Sequence, residues 1–434
     1  MLAFMSGMFA FIFTMQYPQY MIFLGFLVPL SMVYMYKTST YLEDLCFCLN
    51  DMNGLLILMT LSLALLILLS SWAISSMFYT LLHLSLIFIL LLCFSLNNFF
   101  LFYVFFESSL LPILLMIVGW GYQPERLQAS LYMIMYTVIG SMPLFVIILY
   151  IFNTTGSLSL FYLMNFYSLG NSPFFWLGLL AFLVKLPIWS LHVWLPKAHV
   201  EAPLGGSMIL AGALLKLGGY GLYLFSYVLI PPMFKIIPVG MMSLAMWGGL
   251  IAAILCLCQS DIKSMIAYSS IVHMTLVVMG CITGTSWGHF CALVTMIAHG
   301  WTSSALFCVA FLSYEKVGSR MFIMTKGLLK LYPTLSLMWF LLTLTNMAVP
   351  PTINLVGELF GVPVSMWLNI YMLIILLLIM FLSVTYNMYL YTKINHGAVN
   401  PYILGSGSLS AVGMLSLIGH LCPLMLIFCL PCLY

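Results

Sequence analysis

The sequence predicts an all-α, polytopic membrane protein of about fourteen transmembrane helices, built as two inverted five-helix repeats with a broken helix in each. Three observations carry this prediction. Of 434 residues, 64% are hydrophobic and only 5% are charged, against roughly 25% charged in soluble domains. Apolar runs of about 20 residues, the length that crosses a bilayer, recur along the whole chain. Two of these runs are interrupted by proline, at Pro187 and at Pro350-Pro351, and a proline removes a backbone donor and bends or breaks a helix.

The first run, MLAFMSGMFAFIFTM, has no basic n-region, no small-residue cleavage pattern and no Arg/Ser-rich amphipathic character, so it is expected to be retained as a short first helix near 2–15. Further spans are expected near 20–36, 53–74, 79–96, 98–120, 128–151, 173–195, 203–229, 237–258, 264–283, 287–313, 331–366, 367–391 and 408–430. The 331–366 run is too long for one pass and holds Pro350-Pro351, so two half-helices with an unwound link are expected there. Loops alternate sides, and Arg126, Lys197, Lys263, Lys316, Arg320, Lys326, Lys330 and Lys393 fall on one side against Lys37 and Lys235 on the other. The richer side is cytoplasmic or matrix, and both termini lie opposite. The spans divide into N-terminal helices (1–75), a first five-helix repeat (76–230), a second (231–395) and a C-terminal helix (396–434). Glu107 and His273 are 166 residues apart, and Lys185 and Glu358 are 173 apart. A shift of five spans inverts the second copy, a transporter signature when broken helices occupy matching positions.

The net charge of +3 comes from scattered residues, so there is no basic run for nucleic acid. No nucleotide loop of the G-x-x-x-x-G-K-[ST] or G-x-G-x-x-G type and no H-E-x-x-H occurs, so any redox cofactor is expected elsewhere. The 11 cysteines lie mostly in apolar runs; the closest pairs, Cys46/Cys48 and Cys256/Cys258, are C-x-C and not C-x-x-C, and are read as apolar filler.

Ionisable residues inside the apolar runs carry the functional signal. An ammonium group at mid-bilayer costs roughly 2.5–3.5 kcal/mol on insertion scales, so such a lysine faces a protein interior and marks a charge pathway. Lys185 lies two residues before Pro187, where irregular backbone needs a protein- or water-lined surround. Glu107, in FLFYVFFESSLLPILL, is expected to pair with Lys185; the alternative is an ion pair that only fixes packing. Lys216, in ILAGALLKLGGYG, sits mid-span among small residues that let helices approach closely. Glu358 follows the second break and can load and release a proton there, or it caps the lower half-helix. His273 and His299 are mid-span histidines in adjacent spans that also carry Ser269, Ser270, Thr295 and Ser303, and histidine hands on protons at small cost. His192 and His199 flank the WLPKAHVEAP link with Lys197 and Glu201; their spacing fits no familiar zinc site, leaving an interfacial polar cluster or a relay. Asp261, with Lys263 behind it, suits the positive end of a helix dipole.

The strings FFESSLLP, GYQPERLQAS, VKLPIWSLHVWLPKAHVEAP, LLKLGGYG, SDIKSMIAYSSIVHM, MIAHGWTSSALF and PPTINLVGE, in this order and spacing, resemble the subunit 4 family of mitochondrial NADH dehydrogenase (ubiquinone), the antiporter-like membrane chains of respiratory complex I. The resemblance is dense from Glu107 to Glu358 and weak in the first 75 and last 40 residues. It implies a fourteen-helix fold of inverted five-helix repeats in the mitochondrial inner membrane. It also implies proton translocation coupled to oxidation of NADH by ubiquinone. Carried over, the glutamate–lysine pair is Glu107 and Lys185, the central lysine Lys216, the exit-side glutamate Glu358 and the relay histidines His273 and His299. NADH, FMN, iron–sulfur clusters and ubiquinone are then expected in other subunits, with no cofactor or metal in this chain. The expected partners are the other membrane subunits and the lipid bilayer. One departure is YEKVGSR, Tyr314 to Arg320, in place of the family's YER-x-HSR.

An independent sodium/proton antiporter subunit is the competing functional class, and GYQPERLQAS and PPTINLVGE favour the complex I chain over it. A purely structural helix bundle has no reason to keep Glu107, Lys185, Lys216 and Glu358 in the membrane.

Overall fold

The computed structural model describes residues 17–37, 42–43, 47–49, 51–72, 76–160, 162–163, 176–229, 236–401, 407 and 409–425. Nearly all of these are helical, as the apolar composition requires, because a backbone in lipid must satisfy its own hydrogen bonds. The helices are α1 (Tyr17–Lys37), α2 (Asp51–Ser70), α3 (Met77–Ser95), α4 (Phe99–Ser108), α5 (Leu110–Trp120), α6 (Arg126–Thr155), α7 (Trp176–Lys185) and α8 (Trp194–Glu201). Next come α9 (Leu204–Ile209), a π-turn (Leu210–Leu214) running straight into α10 (Leu215–Leu229), and α11 (Ile236–Cys258), α12 (Ile262–Thr283) and α13 (Ser286–Val317). The last are α14 (Leu328–Leu331), α15 (Pro333–Asn346), α16 (Ile353–Leu368), α17 (Ile370–Asn395) and α18 (Ala411–Leu424). A two-residue antiparallel pair, Leu42–Glu43 with Cys48–Leu49, is the one strand ladder among the described residues. The expected first helix near 2–15 lies outside the described residues, and so do parts of the links around Lys37 and Lys235.

Nine helical stretches among the described residues are long and apolar enough to cross a membrane, from Met52–Ser70 to Ile370–Asn395. Two further expected spans are broken by the chain, while those near 20–36 and 408–430 appear as the continuous helices Tyr17–Lys37 and Ala411–Leu424. The expected 173–195 helix ends at Lys185, and α8 starts only at Trp194. The expected 331–366 run splits into α15 and α16 around Met347–Thr352. Two irregularities were not expected: the 98–120 span is interrupted at Ser109, and the 203–229 span carries the π-turn.

The contacts group the chain into two compact units. Unit 1 comprises Met1–Leu186 and Glu201–Lys235, and unit 2 comprises Pro187–Val200 and Ile236–Tyr434. This differs from the expected 76–230 block, because residues 187–200 group with the second set. The physical reason is local: the break after Leu186 releases the segment from α7, and α8 stacks His199 on Phe307 of α13, ring centroids 4.8 Å apart.

In unit 2 one end gathers the expected cations. Asp261 Oδ2 lies 3.6 Å from Arg320 Nε, and the backbone pairs Ile262 N–H with the Arg320 carbonyl and Phe322 N–H with the Ser260 carbonyl. Asp261 thus ties the Tyr314–Arg320 loop to the start of α12, and makes no side-chain cap of its own. Lys263 Nζ donates to the Val200 carbonyl at 3.4 Å, and Lys316 Nζ to the Gly407 carbonyl at 2.7 Å. At the opposite end of α13, Thr285 Oγ1 accepts the Gly288 N–H at 3.1 Å as an N-cap. Its C-terminus closes on Gly318, whose φ of +75° suits glycine. At about 1.5 Å per residue this 32-residue helix is about 48 Å long, enough to cross a bilayer fully. Single cysteines replacing Trp287 (56% exposed) and Ile323 (69% exposed), in a cysteine-free background, are therefore expected to react with an impermeant thiol reagent from opposite membrane faces. Reaction of both from one face would overturn the placement of α13.

Candidate functional site

Lys185 is the last residue of α7 and 3% exposed. Its ammonium donates to the Phe106 carbonyl at 2.8 Å and lies 3.2 Å from the centroid of the Phe106 ring. Pro112 provides no N–H for the Ser108 carbonyl, and the helix loosens there, separating α4 from α5 at Ser109. In that loosened turn the Phe106 carbonyl accepts both Lys185 and Ser109 Oγ, the latter at 2.7 Å. The expected direct pair is not closed: Lys185 is held by the carbonyl next to Glu107, while Glu107 Oε1 is buried with no hydrogen-bond partner. Glu107 remains near enough for its charge to act on Lys185.

Lys216 is fully buried. Its ammonium reaches back five residues to the Ala211 carbonyl at 2.7 Å, inside the π-turn. The two lysine helices touch, and the small residues of the motif explain how. A Cβ on Gly218 would lie 3.1 Å from Lys185 Cβ and 3.2 Å from the Leu186 nitrogen, and a Cβ on Gly221 would overlap the Phe182 ring. Each ammonium thus rests on a neutral carbonyl that a helix irregularity makes available. A hydrogen bond to a charged group contributes about 1.5–3 kcal/mol, close to the roughly 2.5–3.5 kcal/mol that burial of the lysine costs.

Unit 2 holds the second set. The imidazole of His273 on α12 lies with Nδ1 3.9 Å from Glu358 Oε1 on α16, and its ring centroid is 5.5 Å from that of His299 on α13. His273 is the member that touches both others, so the expected order His273, His299, Glu358 becomes His299, His273, Glu358. Close packing of α16 on α13, where a Cβ on Gly357 would strike the Thr295 side chain, is what carries Glu358 to this position. The hydroxyls expected to hydrate the relay donate instead to carbonyls of their own helices: Ser269 to Ile266, Ser270 to Ala267, Ser303 to His299 and Thr295 to Cys291. Each hydroxyl proton is thereby engaged, which leaves these oxygens only acceptor capacity.

His192 and His199 are not in an exposed interfacial cluster. His192 stacks on Trp189 at 4.6 Å between centroids and meets Tyr268 at 6.1 Å, and both histidines are buried. Only Lys197 of that group is exposed. Among the described residues no three of His, Cys, Asp and Glu come close enough to hold a metal ion.

A family model described as NADH:quinone oxidoreductase/Mrp antiporter, TM, matches residues 95–384. The chain is 46% identical over 406 residues to NADH-ubiquinone oxidoreductase chain 4 of Albinaria caerulea, covering 93% of each. It belongs to this family. NADH-ubiquinone oxidoreductase chain 4 of Aedes aegypti is 47% identical over 314 residues, covering 70% of this chain and 69% of that one. In fold, the chain is similar to one in respiratory complex I from Thermus thermophilus, with a TM-score of 0.88, 23% identity and coverage of 97% and 92%. A chain of the Mrp complex from Dietzia sp. DQ12-45-1b is similar at a TM-score of 0.79 with 18% identity, covering 90% of this chain and 77% of that one.

Within this family member the second break is braced by side chains that pattern reading did not single out. Asn354 Nδ2 donates to the Thr345 carbonyl at 2.7 Å across the break. Asn346 Nδ2 donates to Asn387 Oδ1 at 2.9 Å, and Asn387 Nδ2 to the Ser383 carbonyl at 2.9 Å. All three asparagines are buried, and amides at that depth in apolar helices were the available signal. Losing the buried Asn354 bond while stranding a carbonyl costs about 1–3 kcal/mol. Asn354→Ala is therefore expected to lower the thermal midpoint of the purified chain in its complex, and Asn354→Leu no less; an unchanged midpoint would show that the bond does not hold the break.

Proposed function

We propose that this chain is a proton-translocating, non-redox subunit of NADH:ubiquinone oxidoreductase, respiratory complex I, and spans the mitochondrial inner membrane many times. The observation that carries the proposal is the pair of buried lysines on touching helices, each donating to a backbone carbonyl at a helix irregularity. Lysines at that depth are groups whose proton can be exchanged. Membership of the family supplies the oxidoreductase complex; NADH, FMN, iron–sulfur clusters and ubiquinone belong to its other subunits, and the partners of this chain are the neighbouring membrane subunits and lipid. An independent sodium/proton antiporter is not favoured: the Mrp chain shares the fold at 18% identity, against 46% for a complex I chain 4.

Glu107 and Lys185 form the gate. Two unit charges 4 Å apart attract by about 4 kcal/mol at an effective dielectric near 20, more than the about 1.5–3 kcal/mol of the carbonyl bond. An ionised Glu107 therefore draws Lys185 off the adjacent Phe106 carbonyl, and a protonated Glu107 leaves it there. In unit 1 the proton row is Glu107, Lys185 and Lys216; in unit 2 it is His299, His273 and Glu358, with Glu358 releasing the proton. His192 and His199, buried on aromatic rings, are candidates for a side relay.

Glu107→Gln keeps volume and hydrogen bonding but cannot ionise, so vesicles holding the assembled complex are expected to lose most pumping per NADH oxidised, whereas Glu107→Asp retains part of it. Normal pumping by Glu107→Gln would rule out the gate. Lys216→Met should block transfer, and Lys216→Arg should block it too, because guanidinium keeps its proton. Wild-type pumping by Lys216→Arg would make Lys216 an electrostatic fixture and not a carrier.

A further inference from the structure

His83, in the middle of α3, has no part in the row described above. It is fully buried, and the protein gives neither ring nitrogen a hydrogen-bond partner. A neutral imidazole always carries one N–H, and leaving it unpaired costs about 1–3 kcal/mol. Retaining histidine where leucine fills the same space therefore calls for a compensating role. Two contacts inside unit 1 place it. The Tyr79 hydroxyl lies where a Cβ on Gly205 would overlap it, and the Phe94 ring meets the Tyr220 ring with centroids 5.5 Å apart. Residues 79 to 94 and 205 to 220 are equal lengths of chain, so α3 and the α9–π–α10 helix run parallel and in register.

That register sets the level of His83. At about 100° per residue, His83 is rotated about 40° from Tyr79 and Phe94 about 60°, so His83 falls between two side chains that both reach the α9–α10 helix. Along the axis His83 is level with Ile209, two residues or about 3 Å from the level of Ala211. Ala211 is where the Lys216 ammonium is held, because the lysine bends back towards the start of its helix. Lys216 lies one turn before Tyr220 on its helix, so its side chain starts from the face that meets α3. His83 is also six residues from the first residue of α3, about 9 Å from the helix end, with Tyr79 one turn nearer that end.

We propose that His83 is a further proton-carrying residue of unit 1, passing protons from the Tyr79 end of α3 towards Lys216 through bridging water. The proton enters on one ring nitrogen and the other nitrogen releases its own. The imidazolium N–H bond breaks, the water takes that proton and gives up another, and the Lys216 amine forms the new N–H bond of its ammonium. No electron moves. This rests on the proton-translocating reading above, in which Lys216 exchanges its proton.

The test uses the assembled complex in sealed vesicles, reading initial proton pumping against NADH oxidation, with uncoupled NADH oxidation measured alongside. His83→Leu removes the titrating group, and His83→Gln keeps volume and a hydrogen bond without the ability to relay, so a packing role would leave the Gln variant intact. The expected result is that both lower protons pumped per NADH as far as Lys216→Met does, while uncoupled oxidation stays within about twofold of wild type. If His83→Gln pumps as wild type and Lys216→Met does not, His83 carries no protons and the reading of Lys216 stands. If Lys216→Met also pumps as wild type, the translocation reading itself falls and takes His83 with it.

Discussion

Burying an ammonium group in a membrane interior is the constraint on which the other features depend. Burial costs roughly 2.5–3.5 kcal/mol per lysine, and in a regular α-helix each carbonyl is already engaged by the N–H group four residues on and offers only its second lone pair. The chain meets this with helix faults. The interruption at Ser109 serves Lys185 through the Phe106 carbonyl, and the π-turn at Leu210–Leu214 serves Lys216 through Ala211. The third fault, Met347–Thr352 between α15 and α16, precedes Glu358. A π-turn in an otherwise α-helical span costs hydrogen-bond geometry and is found mostly where function requires it; here the compensating bond is to a charged donor, about twice as strong as a neutral one.

The faults differ in how visible they are in sequence. Pro187 and Pro350-Pro351 announce two of them, since proline can neither donate nor continue the turn, and both breaks fall where the sequence places them. Leu-Ala-Gly-Ala-Leu announces nothing: these residues fit an α-helix as well as a π-turn, and the Ala211 carbonyl within it is the one that accepts Lys216, five residues on. Ser109 is intermediate, because Pro112 marks a loosened turn but does not say which carbonyl becomes available. Glu107 and Lys185 were legible as neighbours, yet their hydrogen bonds were not, because residues 106 and 107 are equally near in sequence and only side-chain geometry separates carbonyl from carboxylate.

The histidines show the same limit. That His273 and His299 belong together follows from adjacent spans, but their order relative to Glu358 depends on which helix α16 packs against, a tertiary fact without a sequence period. The 187–200 segment is similar: the break at Pro187 was legible, whereas its grouping with unit 2 follows from the stacking of His199 on Phe307. Polar residues at membrane depth were the dependable signal throughout, including the asparagines that brace the second break. Their partners were not legible, since an amide or imidazole in a span accepts any neighbour that the packing supplies.

The carbonyl contacts also bear on why the lysines are lysines. An arginine at position 185 or 216 would satisfy the same carbonyls with more donors and would never release its proton. A fixed carboxylate beside Lys216 would hold the ammonium charged by about 4 kcal/mol at 4 Å and an effective dielectric near 20, nearly three decades in proton occupancy at about 1.4 kcal/mol per decade. Resting on a carbonyl, the ammonium is held by a dipole that does not change when the proton leaves. Lys185 has an acidic neighbour in Glu107, and there the carboxylate sits one residue along from the carbonyl. In the proposed gate, a change in the charge of Glu107 therefore needs to move Lys185 only by side-chain rotation, without a change in helix packing.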